Sequence, residues 1–205
     1  VFDDDYPQML KEIYAPPICL YIKGNLQLLK MQNISLIGCR KCSQYGKKTA
    51  YYFSYNLSKA GFNIVSGLAR GIDSYSHIGC LAAKGKTIAV MGSGLDNIYP
   101  KENEQLVNEI IKQNGAIITQ YPLGTKPEKN NFPARNRIIS GLSKAVLVIE
   151  ARAKSGTLIT VDFALEQGKD VFAVPGNINS ANSVGTNELI KQGAIPVCNY
   201  KDILD

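Results

Sequence analysis

From Ile34 onward, short β-branched apolar runs alternate with longer stretches whose apolar positions recur at helical spacing. The runs Ile34–Ile37, Asn63–Val65, Thr87–Met91, Ala116–Thr119, Ala145–Ile149, Val171–Val174 and Ile195–Val197 are predicted strands. Tyr45–Lys59, Ser74–Ala83, Lys101–Gln113, Asn136–Leu142, Leu158–Gln167 and Asn187–Gln192 are predicted helices. Such alternation marks βαβ units and a parallel sheet. The strands are apolar almost throughout, as strands covered on both faces must be. The expected fold class is therefore α/β: an extended, Rossmann-like, doubly wound, mostly parallel sheet with helices on both faces. Gly61, Gly85, Gly115 and Gly168 follow helix ends, where a left-handed residue is needed.

Residues 1–33 precede this pattern as a preamble expected to pack on the main domain, residues 34–205. The preamble holds Pro16-Pro17, a short predicted strand Ile18–Ile22 and a Gly24-Asn25 turn. A long polar loop is expected over Tyr121–Ala134. The chain has 205 residues, 45% of them hydrophobic, enough for one large domain with its own core. No apolar run approaches the ~18 residues of a membrane span, and the acidic Val1–Asp5 start does not resemble a signal peptide. Five cysteines, an odd number, point to reduced thiols and a cytoplasmic location.

The net charge of +6 favours an anionic ligand or polyanionic partner. The arginines sharpen this. All five, Arg40, Arg70, Arg135, Arg137 and Arg152, fall where a predicted strand hands over to a helix. In an open parallel sheet those handovers lie along one edge, beside helix N-termini that also attract anions. Gly38-Cys39-Arg40 follows the first strand of the main domain. Ser66-Gly67-Leu68-Ala69-Arg70-Gly71-Ile72-Asp73 joins strand to helix, with glycines that allow a nest of N–H donors and Asp73 placed as an N-cap. Lys126 and Lys129 make the long loop basic, and Tyr121 and Phe132 offer rings for base stacking. Arg135, Asn136 and Arg137 close that loop, and Ser155-Gly156-Thr157 opens the next helix after Arg152.

Other chemistries find little support. There is no G-x-G-x-x-G and no acid after the second strand for a ribose, which argues against a dinucleotide cofactor. Gly85-Lys86-Thr87 lacks the earlier P-loop glycine and precedes a strand instead of following one. Cys39-x-x-Cys42 has no second ligand pair at zinc spacing, so no metal is expected. The lone His77 lies mid-helix, and no acid–base pair is evident, which favours a binding protein over an enzyme.

Several segments together resemble the DNA processing protein A (DprA/Smf) family. They are Tyr6-Pro7, Pro16-Pro17 and Gly24-Asn25 in the preamble, Ile37-Gly38 with Arg40, and Ser66–Asp73. Phe132-Pro133 with Arg135–Ser143, Ser155–Thr160 and Val174–Asn177 complete the set, so the likeness runs over nearly the whole chain. The resemblance implies a Rossmann-like domain that binds single-stranded DNA without catalysis or a cofactor. It further implies loading of the RecA recombinase during natural transformation, dealings with single-strand-binding protein, and a homodimer. Many members add flanking domains, so the chain is expected to correspond to the central one or to a short member. Carried onto this sequence, Gly38, Arg40, Ser66, Gly67, Arg70, Gly71, Arg135, Asn136, Arg137, Ser155, Gly156 and Thr157 line a phosphate-binding edge, joined by Lys126 and Phe132 from the loop. The alternative is a phosphoribohydrolase-like nucleotide-processing enzyme on the same fold. Its P-G-G-x-G-T-x-x-E signature is missing here: Pro175-Gly176 continues as Asn177, and no glutamate follows Thr157 in register.

Overall fold

The structure, a computed structural model, describes Val1 and residues 3–204. Its eight strands are β1 (Tyr21–Gly24), β2 (Asn33–Ile37), β3 (Asn63–Ser66), β4 (Thr87–Val90), β5 (Ala116–Thr119), β6 (Ala145–Val148), β7 (Asp170–Ala173) and β8 (Ile195–Pro196). They form one sheet in the order β1-β5-β4-β3-β2-β6-β7-β8. Every pairing is parallel except β1 with β5. The helices are α1 (Gln8–Lys11), α2 (Gln44–Lys59), α3 (Ile72–Ala82), α4 (Glu104–Lys112), α5 (Asn131–Gly141), α6 (Gly156–Glu166) and α7 (Val184–Lys191). This is the doubly wound, Rossmann-like α/β fold that the periodicity predicts.

Alternate strand residues feed two sides of the sheet. Ile37, Val65, Val90, Ile118, Val146 and Val148 pack with Leu10, Ile138, Ile139 and Val161 beneath α1, α5 and α6. Ile34, Leu36, Ile64 and Leu147 pack with Ala50, Phe53, Leu57 and Ile72 beneath α2 and α3, and Val107 and Ile110 of α4 cover Ala89 and Ile117 on the same side. The preamble shares the first of these cores: Tyr6, Leu10 and Ile13 are buried there, and the Tyr6 hydroxyl donates to the Pro17 carbonyl at 2.7 Å. The preamble strand lies at Tyr21–Gly24, starting three residues later than predicted, and pairs antiparallel on the outer edge of β5.

Two sequence expectations are corrected. Helix α5 begins at Asn131, not Asn136. Pro133 falls in its first turn, where a missing N–H costs nothing, so the proline starts this helix instead of delaying it. The helix-end glycines also divide in two. Gly61 and Gly168 take positive φ, but after α3 and α4 the left-handed residues are Lys84 (φ 58°) and Asn114 (φ 61°). Gly115 is needed for room: a Cβ there would stand 2.7 Å from the Thr87 carbonyl oxygen.

The strand order reverses between β2 and β6. At such a switch point the loops leaving the two strands diverge, and a crevice opens beyond their carboxyl ends.

A cationic cleft at the switch point

A cleft of about 670 Å³ occupies that crevice. The β2–α2 loop supplies Gly38, Cys39, Arg40 and Lys41, and the β6–α6 loop supplies Arg152, Lys154 and Ser155. Gly156, Thr157 and Thr160 of α6 form one wall, and Phe132, Asn136 and Ile139 of α5 another, with Lys129 at the rim. Five of the lining side chains, Arg40, Lys41, Lys129, Arg152 and Lys154, are exposed cations. Asp73 is the one carboxylate among the lining residues, and it is buried.

The 11-residue helix α6 points its N-terminus into this cleft. Ser155 caps it by accepting the Thr157 N–H at 3.2 Å. Gly156 has no neighbouring atom within 4 Å of where a Cβ would stand, so the approach to the remaining N–H groups is open. The partial positive charge of the helix end adds to the surrounding lysines and arginines.

Aromatic rings line the opposite side. The Arg40 guanidinium lies over Phe132, 5.3 Å from the ring centroid. Phe132 packs at 5.6 Å against Tyr99, and Arg70 lies 5.9 Å from the Tyr99 ring centroid. Arg70 is held bidentately by Glu102, Nε to Oε1 and the terminal nitrogen to Oε2, both at 2.8 Å. Its charge is matched on the spot, and it lies outside the main cleft in a small recess beside Arg40.

The structure separates the two arginines of α5. Two residues along a helix rotate the side chain by about 200°, so Arg135 and Arg137 cannot share a face. Arg135 points inward with Phe132, Asn136 and Ile139, and is 97% buried as its 3% residual exposure shows. Its guanidinium donates to the carbonyls of Gly67, at 2.7 Å, and Val90. Burial draws its pKa down to about 10. Across Gly67 stands Asp73, which accepts the Ala69 N–H at 3.3 Å. Burial lifts the Asp73 carboxyl to about 6, with Arg135 pulling the other way. Asp73 is therefore no N-cap: that position is Gly71, and Asp73 sits in the first turn facing the interior. Arg137 turns to the preamble, where it donates to the Ala15 carbonyl at 2.9 Å and to Gln120 at 2.6 Å.

Other predicted residues are also reassigned. Ser66 is fully buried, its hydroxyl bound to the Leu36 carbonyl at 2.6 Å. Gly67 makes room for Arg135 and Asp73, since a Cβ there would stand 2.6 and 2.7 Å from their polar atoms. Gly71 (φ 76°) lets its loop cross the Cys39 carbonyl, which a Cβ would meet at 2.3 Å. These glycines bring neighbouring loops together. Lys126 is exposed but does not line the cleft. Gly38, Arg40, Phe132, Asn136, Ser155, Gly156 and Thr157 do line it.

A buried clasp that the sequence did not single out fixes the two switch-point loops. The Glu150 carboxylate accepts the Ser43 N–H at 2.9 Å, the Ser43 hydroxyl at 2.5 Å and the Asn182 amide at 3.2 Å. Asn182 also donates to the Lys41 carbonyl and accepts from Arg152 Nε. Cations from both loops are thus set on one rigid frame. The signal for Glu150 was an acid ending the most apolar strand; nothing local marked Asn182. Among the described residues no group of three metal-ligating side chains comes together, and no helix is long and apolar enough to cross a membrane. All five cysteines are free thiols, and burial pushes the Cys39 and Cys42 pKa values up.

Known proteins are similar to this chain in sequence and fold. The DNA processing protein DprA of Streptococcus pneumoniae is 46% identical over 204 residues, covering all of this chain and 72% of that protein. Its X-ray structure superposes with a TM-score of 0.94. Protein Smf of Synechocystis is 46% identical over 206 residues, and the chain spans about half of its length, 52%. The structure of DNA processing protein A from Helicobacter pylori, described for its single-stranded DNA binding mode, has a TM-score of 0.89 at 33% identity and covers 97% of this chain and 90% of that one. The family described as DNA recombination-mediator protein A matches residues 1–205. With its fold, its switch-point cleft and these relatives in agreement, the chain belongs to the DNA recombination-mediator protein A family.

Proposed function

We propose that this protein binds single-stranded DNA in the switch-point cleft and acts as a non-catalytic recombination mediator. The observation that carries the reading is the charge pattern. Five exposed cations and an open helix N-terminus converge on a cleft whose one carboxylate is buried and turned toward Arg135. Phosphates bind such a surface through Arg and Lys contacts and through backbone N–H groups at the helix end. Phe132 and Tyr99 offer ring faces to a base without regard to sequence. The Helicobacter pylori relative, described as binding single-stranded DNA, supports the ligand class.

In this reading Arg40, Lys41, Arg152 and Lys154 take phosphates and Ser155–Thr157 receive one at the α6 N-terminus. Asn136 contacts the strand between them. Arg135 and Asp73 hold the floor in shape, and Arg137 ties the preamble to α5. The finer role follows the family: the protein, cytoplasmic and homodimeric, loads RecA onto incoming single strands during natural transformation, in exchange with single-strand-binding protein. A phosphoribohydrolase-like reaction has no support in the site. Asp73 and Glu150 are both buried, and Glu150 is taken up by Ser43 and Asn182.

Fluorescence anisotropy of labelled poly-dT across a salt series tests the proposal. Affinity should fall with salt at about 0.7 log–log units per phosphate contacted. Binding that is flat across the titration, or release of free base from a nucleoside monophosphate, would remove it.

A further inference from the structure

The charge of this chain is concentrated in one segment. Between Lys41 and Lys86 there are seven lysines and arginines against one carboxylate, Asp73, so this stretch alone carries the chain's net +6. Asp73 is buried, so the outer surface of α2 and α3 bears no carboxylate of its own. The same surface is rich in tyrosine.

Lys47, Tyr51, Tyr55 and Lys59 follow one another at four-residue steps along α2, a ridge about 18 Å long. Tyr51 stacks on Tyr55 with ring centroids 6.1 Å apart and planes within 16°. Lys59 lies 5.8 Å over Tyr55, and Lys47 lies 5.5 Å over Tyr75 of α3. Tyr51 remains 39% exposed, as does its neighbour Tyr52 at 40%. A helix needs no such face for its own stability: i,i+4 pairs of this kind contribute only about 0.2–0.5 kcal/mol each. The ridge also starts where the cleft ends. Arg40 and Lys41 line the cleft, Ser43 caps α2, and Lys47 is one turn further on.

We propose that the α2 ridge is a second single-strand contact, taking nucleotides that run out of the cleft past Lys41, with phosphates on Lys47 and Lys59 and a base stacked on Tyr51. Cations alternating with rings along a face to which α2 and α3 add no exposed carboxylate match the two things a single strand presents, phosphates and base faces. An acidic polypeptide would use the lysines but has no call on the stacked tyrosines. This inference rests on the cleft being the primary DNA site.

The test compares the wild type with Lys47→Gln/Lys59→Gln and with Tyr51→Ala, using labelled oligo-dT of about 6 and about 25 nucleotides, near the short end of and well beyond the roughly 4–16 nucleotides that a single-strand-binding fold covers. The short oligonucleotide should bind all three proteins alike, which also shows that the variants are folded. For the long one, the double lysine variant should lose about 1.4 units of salt slope and Tyr51→Ala about fivefold or more in affinity. Equal long-oligonucleotide binding by wild type and variants would overturn the ridge while leaving the cleft intact. Failure of the wild type to bind either length would overturn both. Labelled poly-glutamate released by the lysine variant, with oligo-dT binding unchanged, would assign the face to an acidic polypeptide and likewise overturn the proposal.

Discussion

Arg40 and Phe132 meet at the switch point, guanidinium over ring at 5.3 Å, although one lies in the loop after β2 and the other in the first turn of α5. Among the described residues no carboxylate hydrogen-bonds to Arg40, whereas Arg70, beside Tyr99, is bidentate to Glu102. A cation resting on a ring keeps its donors free for phosphate, because the ring attracts it only by its quadrupole. The two arginines therefore differ in their partners, though the sequence places both after strands.

Arg40→Ala should reduce the salt slope of poly-dT binding by about 0.7 units. Arg70→Ala should change it by less, since Glu102 already offsets that charge in place. Equal loss from the two variants in parallel anisotropy titrations would contradict this distinction.

Arg135 and Asp73 act on the fold. Arg135→Gln removes donors from the Gly67 and Val90 carbonyls and leaves Asp73 buried without its cation. A buried hydrogen bond to a charged group contributes about 1.5–3 kcal/mol, and Arg135 makes two. Urea unfolding of Arg135→Gln should show a loss of that order; a loss below about 1 kcal/mol would mean that Arg135 is not structural.

Two glycines should behave oppositely. At Gly46 a Cβ would stand 2.4 Å from Glu150 Oε2, inside the clasp, so Gly46→Ala should destabilise by about 1–3 kcal/mol. At Gly156 a Cβ meets nothing, and Gly156→Ala should melt at or slightly above the wild-type temperature while weakening poly-dT binding by crowding the helix end. Thermal melts and anisotropy on the same two proteins decide both points.

His77 predicts the acid limb of stability. It is buried, its Nδ1 2.7 Å from Thr87 Oγ1, and burial with Arg135 nearby lowers its pKa to about 3 from an ordinary 6.5. Between those values the unfolded chain binds the proton and the folded one does not, so stability is lost as pH falls through that window. Asp73 works the other way. Raised to about 6, it takes up a proton in the folded state first, and the folded state gains relative stability as pH falls from 6 toward 4. Asp73→Asn should therefore steepen the loss between pH 6 and 4 in urea titrations, and His77→Gln should flatten it.

Asp73 also ties DNA binding to pH. A phosphate in the cleft adds an anion to a carboxyl that already faces Arg135 and Arg40, and so pushes its pKa up further. Poly-dT affinity should then rise as pH falls through about 6, with proton uptake visible as a buffer-dependent binding enthalpy. Asp73→Asn should remove that uptake.

The linear pattern of apolar runs was enough for the element types, the parallel sheet and the edge on which the cleft lies, because burial on both faces imposes period and composition residue by residue. It also placed Arg40, Phe132 and Ser155–Thr157 at that edge, since each follows or opens an element there. It did not determine which way a side chain turns. Arg135 and Arg137 are adjacent in pattern and opposite in space once Pro133 is part of a helix turn, and Ser66, Gly67 and Gly71 serve the approach of chain segments that are distant in sequence. The Glu150–Asn182–Lys41 clasp joins three loops far apart in sequence. Such contacts are fixed by how sheet and helices close on one another, which leaves no local periodicity to read.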